Sequence, residues 1–550
     1  MKTIRAYPII VCFLVVSFAL SGCQLSSLGG TGTSNTFQPS RVATSDCSYG
    51  GEIKSVEAVD QYTVRFTLCS ADVAFPAKIT NPVFSIQDSA FLTANQGDST
   101  KLSKQTNGTG PYKVSGYVQS QRLVLEANSD YWDVPPKAKH VLITWATDPT
   151  RRYTALRYAT VNLIDSPATA DYDVIQNNTS LRLDSRPMLN VIYLGFNVGI
   201  APFDNLKFRQ GIASGLDRSA LVQSSFLAGV ETADQFVPNS LSPGYTSSLK
   251  WYDFNTGDAI NALQSTGYDF SHAIALSYPS VPPDPSLPSL QQVALNISRQ
   301  LAVVGMKIVL EPMTSSDFQK AAQQGKLGFF LDYQTADYAD SVAFYNENFT
   351  GTTQKFGPAF TDLKSQIISA SGTSDHILRQ QYYDTANNLI KQYVPVIPVA
   401  HVSGAFASKA DIENVVVGPF NENYPEMNSP TGTLFLMQGT EPNSLWPADE
   451  NTTDSLRVAS LLYDTLVRYD YGGTTIVPDL ATSWSSSSDL TQWTFNLRYG
   501  VKFTNGAALD ANDVVASFAA IWDAKDPNHK GHTGNFTIFQ HFFGSFLNSK

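Results

Sequence analysis

The sequence predicts an α/β protein with more than one lobe. Residues 493–498 alternate apolar and polar side chains, which is the period-two pattern of a half-buried strand. Asn505-Gly506 then predicts a turn with positive φ, and Asp510 predicts the N-cap of a following helix. Apolar residues recur at helical spacing over 289–305 and are followed by a predicted strand at 307–311. A chain of 550 residues is long enough for two or three lobes with separate cores.

The N-terminal residues have the pattern of an export signal. A short basic segment precedes an apolar run at 9–20, which is too short to span a membrane as a mature helix. The LSGC sequence that ends at Cys23 resembles a bacterial lipobox. We therefore expect a signal peptide over 1–22 and a lipid on the Cys23 thiol; the alternative is a plain secretory signal with an incidental cysteine. Residues 23–46 are rich in Ser, Thr and Gly and predict a flexible tether.

Composition narrows the class of partner. The formal net charge of −11 argues against nucleic acid, which requires a basic surface. The hydrophobic share of 43% is that of a globular protein. Charged residues make up only 15% of the chain and aromatic residues 12%. This composition suits an exported receptor that binds its ligand through aromatic side chains, although secreted enzymes share it.

The cysteines allow one internal pairing in the exported chain. Cys12 leaves with the signal peptide, and Cys23 is the expected lipid site, so Cys47 and Cys69 remain. Because the environment after export is oxidising, we expect a disulfide between them; the alternative is two unpaired thiols.

Several motifs together resemble one protein family. They are PDLA-SW and DANDVVASF within 478–518, GTGPY at 108–112 and RLVLEANSDYW at 122–132. The chain is identified as a member of the family 5 solute-binding proteins, the peptide, dipeptide and nickel receptors of ABC importers. The resemblance implies a periplasmic-binding-protein-like type II clamp with two main lobes and an extra small subdomain. It also implies a monomeric, extracytoplasmic receptor that hands a solute to an ABC permease and its ATPase, with no enzymatic activity and no cofactor.

The order of the motifs predicts a circular permutation. The stretch 478–518 stands near the start of other family members, whereas here residues 432–550 supply the part that is missing before residue 53. Chain ends that lie close together on a surface permit such a rearrangement. The expected domains are the small subdomain (47–90 and 476–550), lobe I (91–200), lobe II (201–393), and a segment over 394–475 that returns to lobe I and adds the N-terminal strand of the family.

A candidate ligand site follows from the segment 333–340, YQTADYAD, which resembles the family motif W--ADY-DP. The resemblance places Asp337 where the family binds the amine of a peptide, and a carboxylate in an interlobe cleft would neutralise that ammonium group. The alternative is that Asp337 is a solvent-exposed acidic residue of a surface loop and binds no ligand. Tyr333 and Gln334 stand around the tryptophan position of the motif, and Leu331 falls where some members carry arginine. A short peptide is the expected ligand, and a sugar-like ligand or nickel stays open.

Other candidate contacts are aromatic rings and one histidine. Tyr338, Tyr345 and Trp446 are predicted either to stack on a ligand or to pack in the core, since rings dominate both kinds of environment. His401 follows a predicted crossing between the lobes and faces either the cleft or the core.

Other chemistry has little support in the sequence. The HKGH sequence at 529–532 predicts a solvated loop rather than a metal site, because no cysteine or carboxylate cluster accompanies it. The serine of GIASG at 211–215 is misplaced for a nucleophile elbow, and no HExxH motif is present. A sensor or scaffold that uses the same clamp without transport is the remaining alternative, with a secreted hydrolase behind it.

Overall fold

The structure of the chain, a computed structural model, describes residues 37–226, 228–282, 287–351, 353–358 and 360–549. The predicted signal peptide and Cys23 lie outside the described residues, as does most of the predicted tether. Among the described residues, no helix is both long and apolar enough to cross a membrane.

Short runs of strands and short runs of helices follow one another along the chain. The strands are β1 (Arg41–Ala43), β2 (Ile53–Asp60), β3 (Thr63–Leu68), β4 (Tyr112–Val118), β5 (Arg122–Ala127), β6 (His140–Trp145), β7 (Leu163–Asp165), β8 (Leu181–Arg186), β9 (Asn190–Phe196), β10 (Val230–Thr232), β11 (Ala273–Pro279), β12 (Lys307–Met313), β13 (Phe329–Thr335), β14 (Val396–Val402), β15 (Gly404–Lys409), β16 (Thr433–Gln438), β17 (Val467–Tyr469), β18 (Ile476–Pro478), β19 (Ala481–Ser486) and β20 (Gln492–Leu497). The α-helices are α1 (Phe75–Lys78), α2 (Ser89–Asn95), α3 (Ser99–Leu102), α4 (Pro149–Arg157), α5 (Tyr172–Gln176), α6 (Leu206–Ser214), α7 (Arg218–Ser225), α8 (Thr256–Gln264), α9 (Gln291–Val303), α10 (Ser315–Gln323), α11 (Val342–Tyr345), α12 (Thr361–Ser371), α13 (His376–Tyr393), α14 (Thr453–Leu462), α15 (Ala511–Trp522) and α16 (Thr537–Phe543).

Three large sheets organise the fold. Lobe I contains a seven-stranded sheet in the order β4-β5-β6-β16-β7-β15-β8. Lobe II contains a six-stranded sheet in the order β10-β14-β9-β13-β11-β12. The small subdomain contains a five-stranded sheet in the order β1-β2-β3-β20-β19. Mixed sheets in two lobes and a subdomain are the architecture of the type II clamp that the sequence predicts.

The chain crosses between the lobes near two adjacent strand ends. It leaves the lobe I sheet after β8 and enters the lobe II sheet at β9, and it returns between β14 and β15. The predicted boundaries at 200 and 393 therefore each assign one strand, β9 or β14, to the other lobe. Both strands are apolar runs buried on both faces, so their sequence alone does not indicate which of two sheets they join.

The hairpin and helix at 493–522 match their prediction. Trp493, Phe495 and Leu497 are buried on β20, which pairs with β3 and β19. Asp510 caps α15 in a complete capping box with Asp513, whose side chain accepts the Asp510 N–H at 2.9 Å. The expected strand, turn and helix are thus confirmed, and this unit completes the sheet that β2 and β3 begin.

The glycines of GTGPY permit a close contact with a distant segment. A Cβ on Gly108 would lie 2.1 Å from the carbonyl oxygen of Leu462, and one on Gly110 would lie 2.5 Å from the Leu462 carbonyl carbon. The Gly110 N–H donates to that same carbonyl oxygen at 3.1 Å. The motif therefore joins the end of α14 to β4, and larger residues would separate the two segments.

The end of the predicted tether belongs to the folded body instead. Residues 41–43 form β1, which pairs antiparallel with β2 in the register Arg41↔Glu57. The Arg41 guanidinium also lies 3.0 Å from the Glu57 carboxylate. Backbone pairing at an open sheet edge outweighs the weak turn-forming composition of this segment.

Both ends of the described chain meet in the small subdomain. The Glu52 N–H donates to the carbonyl oxygen of Phe543 at 2.8 Å, and Gly51 pairs with Gly544. Next to this contact a disulfide joins Cys47 to Cys69, with a Cα–Cα distance of 5.7 Å. The segment that enters β2 is thereby tied both to β3 and to the end of α16.

Candidate ligand-binding site

The segment that contains Asp337 is the loop between β13 and α11, residues 336–341, here called the β13–α11 loop. β13 lies inside the lobe II sheet between β9 and β11, and its residues 329–334 are buried. The Ala336 N–H donates to the Leu189 carbonyl oxygen at 2.8 Å, which holds the start of the loop. At its end, Asp340 forms an ion pair of 2.7 Å with buried Arg379. The core of lobe II therefore fixes both ends of the loop.

The middle of the loop faces the small subdomain. The Asp337 carboxylate lies 3.2 Å from Nε2 of His541 on α16, with side chains 60% and 59% exposed respectively. The Tyr338 ring meets the Phe542 ring edge-to-face at a centroid distance of 5.4 Å. Beneath Tyr338, Nζ of Lys78 on α1 lies 5.9 Å from the ring centroid. The contact thus consists of a buried aromatic part and an exposed charged part.

A hydrogen-bond chain continues this contact. The Ala339 N–H donates to the hydroxyl oxygen of Tyr469 at 2.8 Å. That hydroxyl donates in turn to the Ala77 carbonyl oxygen at 3.1 Å. Lobe II is therefore joined through Tyr469 of β17 to the backbone of α1.

Two cations in this region have shifted pKa values. The hydrogen bond to Asp337 raises the pKa of His541 above its ordinary value; burial and Lys78 oppose the shift, and Glu347 adds to it. Burial lowers the pKa of Lys78, but Asp72 and Glu52 outweigh that effect and raise it. Lys78 is bound to Asp72 at 2.8 Å and stays charged within the subdomain, whereas His541 can change its charge near neutral pH.

Tyr333 and Gln334 lie in the interior of lobe II. The Tyr333 side chain is buried, and its hydroxyl donates to the Pro288 carbonyl oxygen. Gln334 is buried as well, and its Oε1 accepts from the Asn348 amide at 3.0 Å. Successive strand residues point to opposite faces, so these two side chains help to hold β13 within the lobe.

The other predicted contacts lie in separate environments. The carbonyl oxygen of Asn190 lies 2.6 Å from Nδ1 of His401 on β14, and burial lowers the His401 pKa. Trp446 is buried and lines a small cavity together with Phe84 and Phe518. Tyr345 is buried and stacks on Tyr383 at 5.1 Å. Of the residues predicted from sequence, the structure thus brings only Asp337 and Tyr338 together at the contact with α16.

The residues that complete this contact were not predicted. They are Lys78, Tyr469, His541 and Phe542, which lie far from Asp337 in the chain. One signal was available, because His541 is the only ionisable residue in the aromatic stretch 536–546. Its partner could not be inferred without the packing of α16.

The HKGH segment is less solvated than predicted. His529 stacks on Phe536 at 4.4 Å, and its Nδ1 lies 3.0 Å from the Ala520 carbonyl oxygen. His532 lies 3.3 Å from the buried carboxylate of Glu450. Within the part of the chain that the structure describes, no group of three or more His, Cys, Asp or Glu side chains is arranged to hold a metal ion.

Comparisons with known proteins agree with this architecture. The profile of bacterial extracellular solute-binding proteins, family 5 Middle, matches residues 29–356 and 475–537. The probable ABC transporter periplasmic-binding protein SapA of Escherichia coli is 25% identical over 68% of this chain and 69% of its own length. Di/tripeptide-binding protein 3 of Pseudomonas aeruginosa is 25% identical over 70% of this chain and 74% of its own. The structure of HbpA2 from Haemophilus parasuis superposes with a TM-score of 0.63 at 25% identity, covering 67% of this chain and 74% of that one.

Proposed function

Because the chain belongs to family 5 of the bacterial extracellular solute-binding proteins, we propose that it captures a short peptide between its lobes and delivers it to an ABC importer. Members of this family bind solutes for transport and are not enzymes. The observation that carries the peptide assignment is the Asp337 carboxylate, which is 60% exposed at the point where lobe II meets the small subdomain.

A carboxylate in this position suits the ammonium group of a peptide. It projects from a loop whose ends are fixed, so little conformational entropy is lost when it pairs with a ligand. Closure of the lobes would remove water and strengthen the charge-assisted hydrogen bond. The names of the relatives, a di/tripeptide-binding protein among them, support the same class of ligand.

The experiment is a thermal-shift screen followed by calorimetry of residues 24–550 against di- to pentapeptides, N-acetylated copies of the same peptides, oligosaccharides and nickel. A ligand that binds only the folded state raises the melting temperature. We expect a peptide to bind, its N-acetylated copy to bind at least tenfold more weakly, and Asp337→Ala to abolish that difference.

Asp269→Ala is the matched control, since Asp269 also pairs with a histidine at 3.2 Å but within lobe II. This control should bind like the unmodified protein. If the peptide raises the melting temperature of Asp337→Ala as much as that of the unmodified protein, the proposed amine contact is rejected. If an oligosaccharide or nickel binds and no peptide does, the ligand is a sugar or a metal ion and not a peptide.

We propose further that Cys23 carries a lipid that holds a monomeric receptor on the extracytoplasmic face of the membrane. The LSGC sequence supports this anchor. Cys23→Ser should release the protein from the membrane fraction of an expressing bacterium, and labelling with a radioactive fatty acid should be lost in parallel. Continued membrane association of Cys23→Ser would contradict the anchor.

We also propose that the chain is a circular permutant. The order of the family motifs in the sequence, and the pairing of residues 50–52 with 543–545, support this proposal. A rearranged gene that places residues 431–549 ahead of 50–430 should yield a protein with the same peptide affinity. A rearranged protein that fails to fold, while the present order folds, would count against the proposal.

A further inference from the structure

The carboxylate proposed to bind a ligand already has a histidine as its partner within the protein. His541 of α16 reaches Asp337 across the contact between the small subdomain and lobe II, at 3.2 Å. Neither residue is near the other in sequence, so this ion pair exists only when the two parts of the protein meet. The His541 ring therefore takes the position on Asp337 that a ligand ammonium group would need.

We propose that His541 is an internal competitor for the ammonium group of the ligand, and that its protonation sets the affinity of the site. This inference rests on the proposed amine contact of Asp337. A peptide must displace His541 before its own amine can pair with the carboxylate. His541 is thus a residue that determines how strongly, and in which pH range, an amine ligand is captured.

The accessibility of the pair makes the exchange feasible. Both side chains are more than half exposed, so water replaces each lost contact as the ion pair opens. Ion pairs of this kind contribute little to stability, because solvent screens them and ordering two side chains costs entropy. We expect the competition to weaken peptide binding two- to fivefold while His541 is charged.

The charges around His541 favour its cationic form at mildly acidic pH. Asp337 faces it from the β13–α11 loop and Glu347 from the segment after α11, and both favour the imidazolium. Lys78 faces it from α1 and disfavours it, although Asp72 and Glu52 offset much of the charge of Lys78. The acidic side chains are the stronger influence on His541.

The competition therefore has a defined direction with pH. A group whose pKa is raised by a contact supports that contact at low pH and loses it as the pH rises through the raised value. The α-amino group of a peptide stays charged up to a pH of about 8. Between these two transitions Asp337 is released from His541 while the ligand is still a cation, so peptide affinity should increase from pH 5.5 to about 7.5.

The first test needs no ligand. Ring nitrogen NMR of the ligand-free protein should show that His541 titrates above the ordinary histidine pKa, and that Asp337→Asn lowers this value. The same titration midpoint for His541 in both proteins would mean that the pair does not form, and it would overturn the inference whatever the protein binds.

The second test measures competition directly. Calorimetry with the tightest peptide from the screen is repeated from pH 5.5 to 8.5 on the unmodified protein, on His541→Gln and on His272→Gln. The histidine of the control pairs with Asp269 inside lobe II and is 74% exposed, so it matches His541 in type and exposure. We expect His541→Gln to bind two- to fivefold more tightly than the unmodified protein at pH 5.5 and equally at pH 8, with no change for the control.

The outcomes separate the two proposals. If Asp337→Ala abolishes amine-dependent binding but His541→Gln leaves the affinity and its pH profile unchanged, the amine contact stands and the competitor is rejected. If no peptide binds at any pH, or if binding is indifferent to Asp337→Ala, the proposed function fails and the competitor fails with it.

Discussion

Two regions of the molecule pair carboxylates with cations, and they do so in opposite surroundings. At the contact between lobe II and the small subdomain, Asp337 and His541 form a single exposed pair. In lobe I, the Asp165 carboxylate lies 2.7 Å from Arg457 and 2.9 Å from Arg186, with all three side chains buried or nearly so. The exposed pair can therefore open and let a ligand bind to its carboxylate, whereas the buried ion pairs of lobe I stay closed.

The lobe I network owes its rigidity to shared partners. Glu422 pairs with both Arg186 and Arg457, and Asp454 lies 2.6 Å from Arg457. Burial alone would raise the pKa of Asp165, but Arg457 and Arg186 outweigh it and lower that pKa to about 2. The network connects β7, β8 and α14. Its charged groups therefore stabilise the fold of lobe I and are not available to bind a ligand.

The largest effect should follow from breaking the buried network. Arg457→Met leaves Asp165 and Glu422 with Arg186 as the one remaining cation of the two that they share, and we expect a loss of about 3–5 kcal/mol in the free energy of unfolding. Arg182→Met is the control, because its ion pair with Asp184 at 2.8 Å is far more exposed, with side chains 36% and 25% accessible. Urea denaturation measures both. A loss below about 1 kcal/mol for Arg457→Met would show that the network is not locked.

Glu450 sharpens the comparison, because it is a buried carboxylate without an arginine partner among the described residues. Burial raises the pKa of Glu450 to about 7, and the nearby charge of Asp449 adds to the shift. Neither carboxylate oxygen of Glu450 has a hydrogen-bond partner among the described residues. The pKa of Glu450 is higher in the folded state than in the unfolded state. Protonation of Glu450 therefore stabilises the fold fully below pH 4.5, and this contribution to stability disappears as the pH rises through about 7.

Glu450→Gln should therefore stabilise the protein only where the carboxylate is charged. We expect a gain of about 1–2 kcal/mol at pH 8 and none at pH 4.5 or below, measured by urea denaturation at both values. Glu426→Gln provides a control, since Glu426 pairs with Lys137 at 2.8 Å on the surface. A gain at pH 8 no larger than that of the control would mean that burial does not destabilise the charged form of Glu450 in the folded state.

The sequence predicts the frame of this molecule better than its site. Period-two alternation identified β20, and the Asp510 cap identified α15, because local patterns determine both elements. The segment 209–222 shows the limit of local patterns, because Asp217 is a possible helix cap that lies between two stretches of helix-forming residues. The structure breaks it into α6 and α7, since Asp217 caps α7 by accepting the Ala220 N–H at 2.9 Å. The same side chain can therefore occupy a helix or begin one, and only packing decides.

The site depends on contacts that no local pattern carries. Resemblance to the family indicated Asp337, but pairing with His541 requires α16 to pack against Phe75 and Phe84 of the small subdomain. Likewise, the sequence favours a core position over a pocket position for Trp446 and Tyr345 without deciding between them, and the structure buries both. An aromatic side chain looks alike in either setting until its neighbours are known.

The smallest effect should come from the exposed pair itself. In a double-mutant cycle of Asp337→Asn and His541→Gln at pH 5.5, we expect a coupling energy below about 1 kcal/mol in the free energy of unfolding. At pH 8.5 the coupling should vanish, because a neutral imidazole has no charge to pair with the carboxylate. A coupling energy above about 2 kcal/mol at pH 5.5 would mean that this pair stabilises the fold in the way that the buried lobe I network does. A ligand amine would then be unable to displace His541, and the contrast between the two regions would no longer hold.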